Sequence, residues 1–522
     1  MESFIVRHRE VVTGALSGFD RLRFRGSLRW LCYADGLGKC LNAMGVKLVE
    51  FGKFCQQLSA RIRGAAQRIA DEARRPREYL ASPAESKESR AREIAARDGV
   101  REGLICVLHA VEPCQSFRLR KDRGSKRLVL EGALRKCTHE YFYWIHPRWG
   151  FGHLRVQTWL PMTLHICLNG REWLARQLDA EGVGYERRDN CFTWIADPAA
   201  AQRLMQTQLR IKWAQALDDV IEPLHPHWRD MVGPTPPRVG YYWSVQASEW
   251  ATDLMFRSAK HLAALYPHLL RHATVHLGSR DVLRFLGRHV PVAGGVPPRF
   301  AGEVVSDLRS RPEGMRVKHR VNANSVKMYD KQGSVLRIET TINNPDDMRV
   351  YRPREGDPKG PKSWRVMRRG VADMHRRAQI SQQANDRYLH SLAAAEHTQP
   401  LADLTVGLCQ PATWHGRRAR GLNPLSAGDA RLFELVNRGE YLVNGFRNRD
   451  LRVSLFGMTK PGSPTRKSSA AVTRQLRLLR AHGLIRKLPR THRYVLTDRG
   501  HQTINAILAA RAADTEKLTR AA

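Results

Sequence analysis

The stretch GMRVKHRVNANSVKMYDKQGSVLRIETTINNP, residues 314–345, alternates apolar and polar side chains, and a period of two over short runs specifies β-strands with one buried face. On the first strand Met315, Val317 and Val321 point one way and Arg316, Lys318 and Arg320 the other. On the second, Val326 and Met328 oppose Lys327 and Tyr329, and on the third Leu336 and Ile338 oppose Arg337 and Glu339. NAN at 322–324 and KQGS at 331–334 are turn chemistry, so an antiparallel meander is expected. Its polar face would gather Arg316, Lys318, Arg320, Lys327, Tyr329, Arg337 and Glu339, a grip for phosphates.

Charge explains why such a grip is needed. The 522 residues carry 87 Lys and Arg against 50 Asp and Glu, a net of +37, and a surface that basic repels itself unless a polyanion is near. Nucleic acid is the expected partner, DNA ahead of RNA. A membrane is not expected, because no apolar run approaches the roughly 18 residues needed to span one and the basic residues are not gathered on one amphipathic helix. The opening MESFIVRHRE lacks a signal peptide's apolar core, which predicts a cytoplasmic protein. Nine cysteines without a C-x-x-C pair do not form a disulfide framework.

The length exceeds one core, and the texture predicts an α+β multidomain chain. Residues 1–100 read as a mainly helical N-terminal region, with VVTGALSGFDRLRFRGSL as a short Gly-punctuated hairpin that places Asp20 in a turn. Residues 101–200 read as an α+β domain whose helix REWLARQLDAEG lies between Asn169 and Gly182 and whose tryptophans are core. Residues 201–295 combine a Pro-rich linker with a helical segment, SEWATDLMFRSAKHLAALYPHLLRHA. His225 and His227 flank a proline there, which argues against a paired strand and against a metal motif. Residues 296–400 hold the basic meander, a linker YRPREGDPKGPKSW expected to stay loose until it meets a partner, and a following helix. Within the second region Cys137 and His139, and His165 and Cys167, are two apart; if their strands pair, the four could meet at a zinc ion, the alternative being core thiols and hydrogen-bonded histidines.

Residues 411–522 carry 22 Lys and Arg against 7 Asp and Glu, a net of +15. Ser426 is a plausible N-cap for a first helix, FRNRDLRVSLFG follows as a second, and SSAAVTRQLRLLRAHG as a third with Val472, Leu476 and Leu479 on one stripe. LIRKLPRTHRYVLTDRG then gives two strands around a basic turn before another helix. AVTRQLRLLRAHGLIRKLPRTHRYVLTDRG resembles the recognition helix and wing of the winged-helix family, over about residues 425–512. The resemblance implies base contacts from Ser469, Thr473, Arg474 and Arg477, and phosphate contacts from Lys487, Arg490 and Arg493.

A shorter segment, KMYDKQGSVLRIET, resembles part of the rolling-circle replication initiators of plasmids and phages. That resemblance implies Glu339 as a ligand to a divalent ion, Mg or Mn, and Tyr329 as a nucleophile beside it. The expected function is a mobile-element, plasmid or phage replication-initiator-like or transposase-like factor, a possible metal-dependent DNA-nicking endonuclease. The alternative is a non-enzymatic transcriptional regulator or an RNA-binding ribonucleoprotein component.

Overall fold

A computed structural model of the chain describes residues 1–82, 85–225, 240–288, 302–311, 314–354, 356–357, 359–393, 401–438, 440–441, 445–456, 465–489 and 491–513. Most of the Pro-rich linker, His227, the start of the fourth sequence region and Arg490 lie outside the described residues. The strands, in chain order, begin with β1 (Val12–Ser27), β2 (Arg77–Tyr79), β3 (Gly103–Lys121), β4 (Leu128–His146), β5 (Gly150–Gln157) and β6 (Leu164–Asn169). They continue with β7 (Tyr185–Arg188), β8 (Cys191–Ile195), β9 (Tyr242–Phe256), β10 (Val304–Arg311), β11 (Gly314–Val321), β12 (Asn324–Lys331) and β13 (Val335–Ile342). The last are β14 (Arg349–Arg352), β15 (Ser363–Val366), β16 (Ala412–Trp414), β17 (Arg417–Ala419), β18 (Ile485–Lys487) and β19 (Tyr494–Leu496). With the helices between them they make an α+β fold in two compact units, each gathered from separated stretches of chain.

The larger unit comprises Gly14–Met255 and Glu339–Gln382. Its sheet runs β13-β9-β1-β6-β5-β4-β3-β2, with β13 entering at Glu339. Pairing is antiparallel from β1 through β3, and β2 adds in parallel. The helix Phe51–Glu72 buries Phe51, Cys55, Leu58, Ile62, Ala66 and Ala70, a stripe at three- and four-residue spacing. Ile105, Cys106, Leu108, Tyr141 and Tyr143 form a core with Leu80, Ala91 and Ile94.

Two expectations change here. VVTGALSGFDRLRFRGSL is no hairpin; it is the single strand β1, and its glycines serve close packing rather than turns. At Gly18 a Cβ would meet the Met205 side chain at 2.2 Å, so the helix Pro198–Thr207 can lie against β1 only because that position is bare. SEWATDLMF is likewise strand, the second half of β9, because its neighbours β13 and β1 complete both of its hydrogen-bonding edges. Only from Ala259 does the segment turn helical.

The smaller unit comprises Met1–Thr13, Phe256–Ile338 and Gln383–Ala522. Here β10, β11, β12 and β13 form the expected antiparallel meander, with β10 as an added edge. Val317, Val321, Val326, Met328, Leu336 and Ile338 are all buried, as alternation predicts. His319 joins that apolar face, its ring held between Ser306 Oγ at 2.8 Å and the Tyr388 hydroxyl at 3.0 Å.

In the C-terminal part the helices Ala427–Val436, Asn448–Phe456 and Thr465–Ala481 precede the β18–β19 hairpin and the helix Asp498–Ala512. Ser426 caps the first, its Oγ accepting from the Asp429 amide at 3.3 Å. Leu432, Phe433, Leu451, Val472, Leu476, Leu479 and Ile504 make a common core. Among the described residues no helix is long and apolar enough to cross a membrane.

Candidate metal centre

Asp20 on β1, Glu249 on β9 and Glu339 on β13 bring carboxylate oxygens within 4.8 Å of one another, from three neighbouring strands of the larger unit. Asp20 is 1% and Glu339 2% exposed, while Glu249 is half-buried. The alignment of β1 with β9 follows from side-chain contacts. Ser17 and Thr252 hydroxyls bond at 3.0 Å, and the Phe19 and Trp250 rings meet edge to face at 4.9 Å. One number rises as the other falls, so the strands run antiparallel and Asp20 comes abreast of Glu249.

Neutral groups hold Asp20 in place. The Asn169 amide donates to its Oδ1 at 3.1 Å and the Asn190 amide to its Oδ2 at 2.6 Å, which orients both oxygens without cancelling the charge. Asn169 is itself fixed as the N-cap of the helix Gly170–Ala180, accepting from the amides of Arg171 and Glu172. Asn190 sits in the turn between β7 and β8.

Glu249 is set by its chain neighbours. Ser248 accepts from Arg377 Nη1 at 3.3 Å, and the Trp250 indole donates to Gln382 Oε1 at 2.8 Å. Below, a fully buried ion pair joins Arg171 and Asp253 at 2.9 Å. Breaking such a pair costs about 3–5 kcal/mol, so it locks the helix start to β9. Arg21, exposed, keeps its guanidinium above the usual range; desolvation works against this, but Glu249 foremost, then Cys167, Glu88 and Asp20, outweigh it.

No protein-family model, curated protein or solved structure matches this chain. The chemistry of the donor set therefore has to speak for itself. Three carboxylates are hard oxygen donors, the set preferred by magnesium, manganese or calcium and not by thiophilic ions. Oxygens trans across one magnesium are about 4 Å apart, given bonds of about 2.0–2.1 Å. At least two of the three pairs must be cis, with oxygens about 3 Å apart, so a cluster within 4.8 Å would close by up to about 2 Å around the ion. The residues present fit one divalent cation.

Glu339 thus lies in a carboxylate cluster, while Tyr329 belongs to the other unit, on β12 opposite Arg316. Tyr329 is 7% exposed, with the Lys331 ammonium 6.0 Å above its ring. Arg316, Lys318 and Lys327 are half-buried and Arg320 is exposed on the meander's polar face. Lys318 and Lys327 stand directly opposite each other. Burial, then Lys327 and Arg316, pull the Lys318 ammonium below its ordinary range. Arg337 is corrected: it is fully buried and cannot reach a phosphate from solvent, because β13 is covered on both faces.

In the C-terminal part Arg474, Arg477 and Lys487 are exposed. Ser469 and Thr473 are engaged within the fold: Ser469 Oγ donates to Asn448 Oδ1 at 3.2 Å, and Asn448 Nδ2 donates to Thr473 Oγ1 at 2.9 Å. Arg493 is half-buried, its Nη1 3.5 Å from the Gly445 carbonyl.

The zinc alternative is corrected as well. β4 and β6 do not pair, because β5 lies between them, and among the described residues Cys137, His139, His165 and Cys167 do not form a metal-ligating group. His139 and His165 do line one cavity of about 190 Å³, but with Arg25 and Arg155, whose charge repels a cation. Arg155 Nη2 is 3.0 Å from His139 Nε2.

Local sequence places Asp20 in a turn and Glu249 in a helix, whereas both lie on strands of the sheet. The signal is present in RLRFR, residues 21–25, where arginines and apolar residues alternate, and in YYWSVQASEW, which is rich in strand-forming aromatics.

Proposed function

We propose that this protein processes DNA with a divalent cation held by Asp20, Glu249 and Glu339, as a replication-initiator-like or transposase-like factor. The observation that carries this reading is the convergence of the three carboxylates in a chain of net charge +37. An acidic cluster on so basic a protein is placed against the general field, which suits a cation that must meet a phosphodiester. Bound there, magnesium or manganese would polarise a phosphoryl oxygen and acidify a coordinated water.

The protein's own groups supply positioning. Asn169 and Asn190 orient Asp20, and the Phe19–Trp250 contact keeps it abreast of Glu249. The helices and hairpin of residues 427–512, which resemble a winged helix, would bring duplex DNA through exposed Arg474, Arg477 and Lys487. The meander's Arg316, Lys318, Arg320 and Lys327 offer further phosphate contacts.

A nicking assay on single- and double-stranded DNA with magnesium or manganese tests this. Cleavage is expected in wild type and should vanish in Asp20→Asn and Glu339→Gln with binding retained. DNA binding without cleavage in any metal would make the protein a non-enzymatic binder.

A further inference from the structure

The segment YRPREGDPKGPKSW, expected to be loose, is closed at its ends by the β14–β15 hairpin, in which Tyr351 and Trp364 are directly paired. The hairpin has a firm inner side. Val350 is 6% exposed and packs with Ile342, Met348 and Met367. Buried Arg352 spans both strands, donating to the Pro353 carbonyl and the Val366 carbonyl, each at 3.0 Å. The outer side is a pair of large rings in water: Tyr351 is 57% and Trp364 70% exposed, with ring centroids 5.7 Å apart.

Exposing two large aromatics side by side gives up burial that a protein of this size can easily provide. The rings are tilted by 56° and not stacked, so the pair does not satisfy itself face to face. Near them in the chain Arg349, Arg354, Lys359 and Lys362 are exposed, while Arg369 is held by Asp346 and Asn344, and residues 349–369 hold eight basic residues against two acidic. Open aromatic rings framed by cations match the two parts of an unpaired nucleotide, a flat base and a phosphate. A duplex cannot offer its base faces in this way.

We propose that Tyr351 and Trp364 form a stacking platform for unpaired bases of single-stranded nucleic acid, with the surrounding Arg and Lys side chains holding the backbone. The inference rests on the nucleic-acid reading above and adds to it a preference for strand-separated substrate.

The test measures binding of the full chain to a labelled oligothymidylate and to a duplex of equal length. In Trp364→Ala and Tyr351→Ala, single-strand affinity should fall about ten- to hundredfold, while duplex affinity stays within about twofold. Trp364→Phe should retain most of it. These exposed positions should leave the melting temperature unchanged. Unchanged single-strand affinity, or equal losses on both substrates, overturns the platform while nucleic-acid binding stands. Loss of binding to phosphatidylserine vesicles in Trp364→Ala with no effect on oligothymidylate overturns it in favour of a membrane contact. Wild type binding neither nucleic acid removes both readings together, and absence of cleavage alone removes only the catalytic one.

Discussion

Phe19 and Trp250 meet edge to face with centroids 4.9 Å apart, and they are the residues immediately before Asp20 and immediately after Glu249. Because side chains alternate along a strand, this contact lies on the sheet face opposite the two carboxylates. It registers the strands from behind. Trp250→Ala is therefore expected to destabilise the protein by about 3–5 kcal/mol and to weaken manganese binding at the same time. Trp250→Phe should keep most of both. Urea denaturation and calorimetric manganese titration measure the two effects, and a destabilised variant with undiminished manganese affinity would separate the contact from the site.

Binding of a cation to the carboxylates should also appear in thermal stability. At a hundred times its Kd, manganese is expected to stabilise the wild type by about 2.7 kcal/mol. Asp20→Asn combined with Glu339→Gln should show no such rise in Tm. An equal rise in that double variant would place the ion elsewhere.

The carboxylate cluster is complete without Tyr329, so a water on the bound ion is the expected nucleophile. Tyr329→Phe is expected to leave metal-dependent cleavage largely intact. Loss of cleavage together with loss of a covalent protein–DNA adduct in this variant would restore the tyrosine as nucleophile.

On the exposed helix face, Arg474→Ala and Arg477→Ala should each cost about 1–3 kcal/mol on a preferred duplex. Lys487→Ala should weaken every duplex alike and reduce the salt slope by about one. Uniform losses across sequences in the arginine variants would reassign them to phosphates.

His139 provides a pH signature. Burial first, then Arg155, hold its imidazole down to about 4, with Lys87 adding to this and Glu112 opposing it. The folded state therefore binds fewer protons than the unfolded chain below an ordinary histidine value of about 6.5. Stability present above that value is lost as pH falls towards about 4, where the folded form titrates too; the loss attributable to this side chain is about 3 kcal/mol. His139→Gln should make denaturation midpoints measured at neutral and acid pH differ less than in wild type. His153 and His165, each held at about 3 chiefly by burial, keep a residual slope in the same direction.

What was legible in the sequence was local. The meander's strands and turns, the Asn169 and Ser426 caps and the helix order near the C-terminus depend on residues a few positions apart, and each is present in the structure; the meander's third strand departs from alternation, being buried on both faces. The carboxylate cluster depends instead on which strand lies beside which. Asp20, Glu249 and Glu339 come from remote parts of the chain and meet only because β13, β9 and β1 are neighbours. The same pairing makes SEWATDLMF a strand where a helical segment is expected, and the insertion of β5 between β4 and β6 keeps two cysteine–histidine pairs apart. Local side-chain periodicity is written residue by residue, whereas strand order is settled by the burial of whole faces, and no single segment encodes it.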